Sequence, residues 1–146
     1  MNAARLSSEN LHASCVALDG RAVLIAGPSG SGKSDLALRL LDRGFTLVSD
    51  DRTILSKEGS RLLASAPDRI RGKLEIRGIG IVDMESEDNV PVALIVVLTA
   101  DMQRLPDDSQ ERQILGISIP LINVDAMTAS APSKVSVALD RLGLKL

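Results

Sequence analysis

Apolar positions in this chain come in short runs, broken by glycine, proline and charged turns. Ala13–Leu18 and Arg21–Ala26 are strand-like and joined by Asp19-Gly20, a dipeptide that favours a two-residue hairpin turn. Such a turn pairs Leu18 with Arg21, Val16 with Val23 and Ala13 with Ala26, and it carries His12 alongside Gly27. Across residues 34–43, Leu36, Ala37, Leu40 and Leu41 recur at helical spacing, with Arg39, Asp42 and Arg43 on the other face and Gly44 placed to end the helix. Residues 46–48 predict a short strand ending at Ser49-Asp50-Asp51, and residues 53–55 and 61–64 predict a second hairpin around 57–60.

Residues 67–73 are basic and turn-rich, and 74–82 are strand-like with Gly78 and Gly80 interrupting the pattern. The continuous apolar run 92–98 predicts a strand buried on both faces. The polar stretch 103–115 is expected as a short helix. Ile117–Val124 is expected as a strand that Pro120 confines to an edge. Residues 133–142 predict a closing helix with Val135, Leu139 and Leu142 on one face. Residues 1–10 are polar and expected as a flexible start, leaving 11–146 as one domain. The fold class is α/β with a mixed sheet, richer in antiparallel strand than a doubly wound fold.

Composition narrows the function. The 146 residues hold 17 Lys and Arg against 19 Asp and Glu, a net charge of −2, so a general phosphate-backbone binder is not expected. Phe45 is the only aromatic residue, which leaves no platform for stacking bases. Neither nucleic acid nor membrane is an expected partner: the longest apolar run is too short to span a bilayer. Cys15 is alone, so no disulfide framework or cysteine-based zinc site is available, and the cytoplasm is the default compartment.

Gly27-Pro28-Ser29-Gly30-Ser31-Gly32-Lys33-Ser34 fits the pattern G-x-x-x-x-G-K-[ST], with an apolar strand before it and an amphipathic helix after it. Glycines let backbone N–H groups turn around phosphate oxygens, and the helix presents its positive end. Lys33 reaches the β and γ phosphates, and the Ser34 hydroxyl is placed for Mg²⁺. Asp50 and Asp51 return to the same sheet edge one helix and one strand later. Either carboxylate can take a hydroxyl proton while the other serves a metal. Asp101, in the loop beyond the strand 92–98, is the competing acid and is expected to be structural. Glu75 and Arg77 alternate with Leu74 and Ile76, so they share one face of an extended segment, where a surface ion pair is the simpler expectation.

Taken in order, His12, the loop 27–34, Leu47-Val48-Ser49-Asp50-Asp51-Arg52 and Leu74-Glu75-Ile76-Arg77-Gly78-Ile79-Gly80-Ile81 resemble the catalytic domain of bacterial HPr kinase/phosphorylase, in the short form of some proteobacteria. The resemblance implies a fold like that of phosphoenolpyruvate carboxykinase. It also implies an ATP- and Mg²⁺-dependent kinase that phosphorylates a serine of HPr-type phosphocarrier proteins and reverses the step by phosphorolysis. By the same resemblance Asp50 is the base, assisted by His12. Ser34 and Asp35 hold Mg²⁺. Asp51, Glu75 and Arg77 line the site, and Arg104 matches an arginine linked to the reverse reaction. Full-length relatives carry an N-terminal domain and form hexamers. Asp35 stands where the family usually has Glu, and residues 131–134 replace its Pro-Gly-Arg-Asn segment. Two other readings stay open: a P-loop kinase of small molecules, and a nucleotide-sensing module without catalysis.

Overall fold

The computed structural model describes residues 8–100 and 110–146. Along the chain the elements are β1 (Ser8–Leu11), β2 (Ala13–Leu18), β3 (Arg21–Ala26), α1 (Lys33–Leu41), β4 (Thr46–Ser49), β5 (Thr53–Glu58), β6 (Arg61–Ser65), β7 (Lys73–Ile76), β8 (Gly80–Asp83), β9 (Val90–Leu98), β10 (Gln110–Ile114), β11 (Ile117–Val124) and α2 (Ala131–Leu142). A 3-10 turn, Asp68–Ile70, precedes β7.

Short turns set the register. Asp19 and Gly20 both take positive φ, and β2 pairs β3 from Leu18↔Arg21 to Ala13↔Ala26. Gly44, at φ +95°, lets the Phe45 N–H bond back to the Leu40 carbonyl and stop α1.

Nine strands form one curled mixed sheet in the order β1-β5-β6-β9-β3-β2-β4, with β11 also on β9 and β10 on β11. The strand β9 is its axis. Its first residues pair antiparallel with β6, its later residues pair parallel with β11, and β3 runs parallel along the other side. Side-chain alternation then builds two cores. Val23, Ile25, Leu94 and Val96 pack with Leu36 and Leu40 of α1 and Val135 and Leu139 of α2. Leu24 and Ile95 face the other way, onto Leu55, Leu62 and Ile119 inside the curl. Burial on both faces explains the unbroken apolar sequence of β9.

Four local expectations are corrected. Residues 8–10, read as a flexible start, form β1, because the β5 edge offers a ladder from Ser8↔Ser56 to Leu11↔Thr53. Residues 110–114 are strand rather than helix. Leu115 and Gly116, both at positive φ, close a tight hairpin from β10 to β11, and cross-strand pairing outweighs the polar composition. The rest of the expected helix, residues 103–109, lies outside the described residues, as do residues 1–7. The strand β11 is interior, held between β10 and β9. Pro120 is tolerated because the parallel ladder to β9 starts at Leu121, one residue beyond it. Leu142 is 54% exposed, and Ala138 takes the buried position beside Val135 and Leu139. Among the described residues no helix is long and apolar enough to cross a membrane.

Candidate active site

The segment from Gly27 to Ser34 leaves the end of β3 and runs into α1, as the loop motif requires. Only glycine fits at its first position. A Cβ on Gly27 would sit 2.7 Å from Ser31 Oγ and 3.2 Å from Leu98 Cβ. The Lys33 side chain is almost buried. Its ammonium donates to the carbonyl oxygens of Gly27 at 2.8 Å and Pro28 at 3.1 Å, so the charge curls over the loop it belongs to. Ser31 Oγ is buried in the same loop without a hydrogen-bond partner. An orphaned hydroxyl, an ammonium held on weak carbonyl acceptors and a helix N-terminus together fit phosphate oxygens.

The acids arrive by way of a bulge. The strand β4 pairs with β2 as Ala17↔Thr46 and Val16↔Leu47, but then as Cys15↔Ser49, so Val48 is an extra residue. Bulges re-aim the side chains beyond them. Here the shift sets Asp50 level with Ser14; a ladder without the extra residue would have set Ser49 there. The chain then turns sharply. Asp51 has φ +69° and the Arg52 N–H donates to the Asp50 carbonyl at 2.7 Å, a γ-turn with its strained central residue at Asp51. Ser49 Oγ donates to the Arg52 carbonyl and braces the turn.

The turn sends the two carboxylates to different places. Asp50 is buried. Its Oδ1 accepts hydrogen bonds from Ser34 Oγ at 2.6 Å and Ser14 Oγ at 2.9 Å, and its Oδ2 accepts one from the Glu75 N–H at 3.1 Å. Asp51 stands on the rim, its side chain 61% exposed, with Oδ1 2.7 Å from His12 Nε2. His12 occupies the bend between β1 and β2, where the chain leaves its pairing with β5 to pair with β3 and β4. Its ring therefore meets Asp51, whereas the resemblance had it assisting Asp50.

Three further site residues depart from expectation. Asp35 does not face Ser34. Adjacent helical residues point apart, and Arg39, one turn on, holds the Asp35 carboxylate at 3.1 Å while donating to the Ala126 and Thr128 carbonyls. Glu75 reaches the cluster through its backbone N–H, and its side chain is exposed. Arg77 does not share a strand face with Glu75. Ile76↔Gly80 pairing makes 74–82 a hairpin, with Arg77 and Gly78, at φ +87°, in its turn. No ion pair joins Glu75 to Arg77 among the described residues. Arg104 and Asp101 lie outside the described residues.

Sequence reasoning missed Ser14. It is fully buried and linked to both aspartates, donating to Asp50 and accepting from the Asp51 N–H at 3.1 Å. The β2–β4 register would have found it, had the extra residue at Val48 been foreseen.

Comparison with known proteins identifies the family. The family model of the HPr Serine kinase C-terminal domain matches residues 4–140. HPr kinase/phosphorylase of Prosthecochloris aestuarii is 36% identical over 129 residues, which are 80% of this chain and 38% of that protein. The enzyme of Lactobacillus acidophilus is 34% identical over 135 residues, 83% of this chain and 42% of that protein. This chain thus spans about two fifths of the length of these curated relatives. The solved Hpr(Ser) kinase/phosphatase from Coxiella burnetii superposes with a TM-score of 0.80 at 31% identity, covering 90% of this chain and 88% of that one. With the family model matched across nearly its whole length, the chain belongs to the HPr Serine kinase C-terminal domain family.

Proposed function

We propose that this domain moves the γ-phosphoryl group of ATP, in the presence of Mg²⁺, to a serine hydroxyl of an HPr-type phosphocarrier protein, in the cytoplasm where such a carrier works, and that residues 11–146 are the catalytic unit. One observation carries the reading: the Ser34–Asp50 hydrogen bond of 2.6 Å, which joins the phosphate loop directly to a buried carboxylate. A passive sensor needs the loop but no base fixed against it, and the family points to a protein acceptor rather than a metabolite.

In the forward direction the serine oxygen bonds to the γ phosphorus as the bond from that phosphorus to the β–γ bridging oxygen breaks, releasing ADP. The serine proton passes to Asp50 Oδ2, the carboxylate oxygen that no hydroxyl occupies. Lys33 gives up its two carbonyl partners to the phosphates and offsets their charge. Ser34 is the residue that would hold Mg²⁺, with Asp35 joining only where Arg39 releases it, and Mg²⁺ held there would supply neutralisation of phosphate charge. His12 and Asp51 form the rim that the incoming protein crosses, and Arg77 in the hairpin turn and Arg104 offer guanidinium groups to phosphoryl oxygens. The reverse reaction joins inorganic phosphate to the phosphoryl group of phosphoserine, giving pyrophosphate and returning the proton from Asp50 to serine.

The test is incubation with labelled ATP, Mg²⁺ and HPr-type proteins of the source organism, followed by phosphoamino-acid analysis. Label on serine supports the reading. Label on a metabolite, or nucleotide binding without transfer to any protein, overturns it.

A further inference from the structure

We infer that Ser14 is a positioning residue for phosphoryl transfer, setting the orientation of Asp50 and the turn at Asp51 through a single hydroxyl. The inference rests on Asp50 being the base, as proposed above.

The hydroxyl's bonds are fixed by elimination. A backbone N–H can only donate, so the 3.1 Å contact with the Asp51 amide uses a lone pair of Ser14 Oγ. An ionised carboxylate can only accept, so the 2.9 Å contact with Asp50 Oδ1 uses the single Ser14 proton. With that proton committed, Ser14 cannot rotate to another partner without leaving a buried group unpaired.

Its two bonds act on the first and central residues of the γ-turn. One pins the Asp50 side chain so that Oδ1 faces Ser14 and Ser34, which leaves Oδ2 turned toward β7. The other ties down the amide of Asp51, the residue at φ +69°. Ser14 itself sits on a rigid base: its neighbours Ala13 and Cys15 are fully buried and its strand is paired on both sides. A carboxylate that takes a proton in the transition state must be held close to its productive geometry, and groups behind it supply that hold. Ser34 cannot do this alone, because its hydroxyl is also the group placed for Mg²⁺. Burial keeps Ser14 out of contact with nucleotide or acceptor, so it acts through Asp50.

The experiment compares wild type, Ser14→Ala, Ser14→Thr, Ser14→Cys and Asp50→Asn for kcat of transfer to an HPr-type protein, nucleotide dissociation constant and thermal midpoint. Loss of one hydrogen bond to a charged group predicts a kcat about ten- to a hundredfold lower in Ser14→Ala, with nucleotide affinity within about twofold of wild type. Ser14→Thr, which restores the hydroxyl, should recover most of that loss. Ser14→Cys keeps the side-chain shape, slightly enlarged, with a weak donor and should fall in the same direction, and it replaces the alanine variant if the latter does not fold. Three results overturn the inference while leaving Asp50 as base: full kcat in Ser14→Ala beside a dead Asp50→Asn, nucleotide affinity falling in step with kcat, or no recovery in Ser14→Thr. Transfer that survives Asp50→Asn, or is absent from wild type, instead removes the functional reading and the role of Ser14 with it.

Discussion

Replacing Lys33 by alanine removes a nearly buried ammonium that donates to two carbonyl oxygens of its own loop, at 2.8 and 3.1 Å. In the free protein the loss is modest. The Gly27 and Pro28 carbonyls lie in an open glycine-rich turn and regain water, so the expected cost is about 1 kcal/mol. In the bound state the same ammonium faces phosphate oxygens, and no other lysine lies in residues 27–34. One hydrogen bond between charged partners is worth about 1.5–3 kcal/mol, which converts to a dissociation constant roughly ten- to 150-fold weaker. Isothermal titration with ATP and Mg²⁺ measures that constant, and a thermal melt run alongside separates affinity from folding. A Lys33→Ala variant that folds normally and binds nucleotide as tightly as wild type would refute the phosphate-loop assignment.

Other consequences follow from the packing. Leu40→Ala empties a fully buried position in the cluster shared by α1, α2 and β9, and should cost about 2–5 kcal/mol, lowering the thermal midpoint by roughly 4–20 °C. A calorimetric change below about 1 kcal/mol would contradict the core described. Burial pushes the Cys15 thiol far above its ordinary range, so iodoacetamide should modify it at pH 8 only in denaturant. Because that folded-state value is raised, its contribution to stability is complete below the unfolded thiol's value of about 8.5 and declines as pH rises beyond it. Urea melts at pH 8 and pH 10 read this directly, and a contribution that grew with pH would contradict it.

What could be read from the sequence was local chemistry. Asp19-Gly20 dictates a turn whose geometry is nearly unique, so the β2–β3 register followed pair by pair. The loop motif, the helix after it and the glycine that ends that helix each carry their own steric reason. The unread parts were decided by partners distant in sequence. Whether Ser8 to Leu11 orders depends on the edge of β5, and whether Pro120 sits at an edge depends on where β9 begins to pair. Gly78 and Gly80 signalled a backbone irregularity without saying that the chain reverses there, which carried Arg77 off the face expected for it. In the site, one extra residue at Val48 brings Asp50 level with Ser14, and no periodicity in β4 announces it. Ser14 went unnoticed for the same reason: a serine in an apolar strand gains meaning only once its cross-strand neighbour is known.

The central claim is that a buried carboxylate, fixed against the phosphate loop, takes the acceptor proton. Asp50→Asn tests it most directly, since the amide keeps the shape but cannot serve as the base. Transfer to serine on an HPr-type protein, followed beside nucleotide affinity, should fall by about 10² to 10⁴ while ATP still binds. Wild-type transfer rates in that variant would contradict the account.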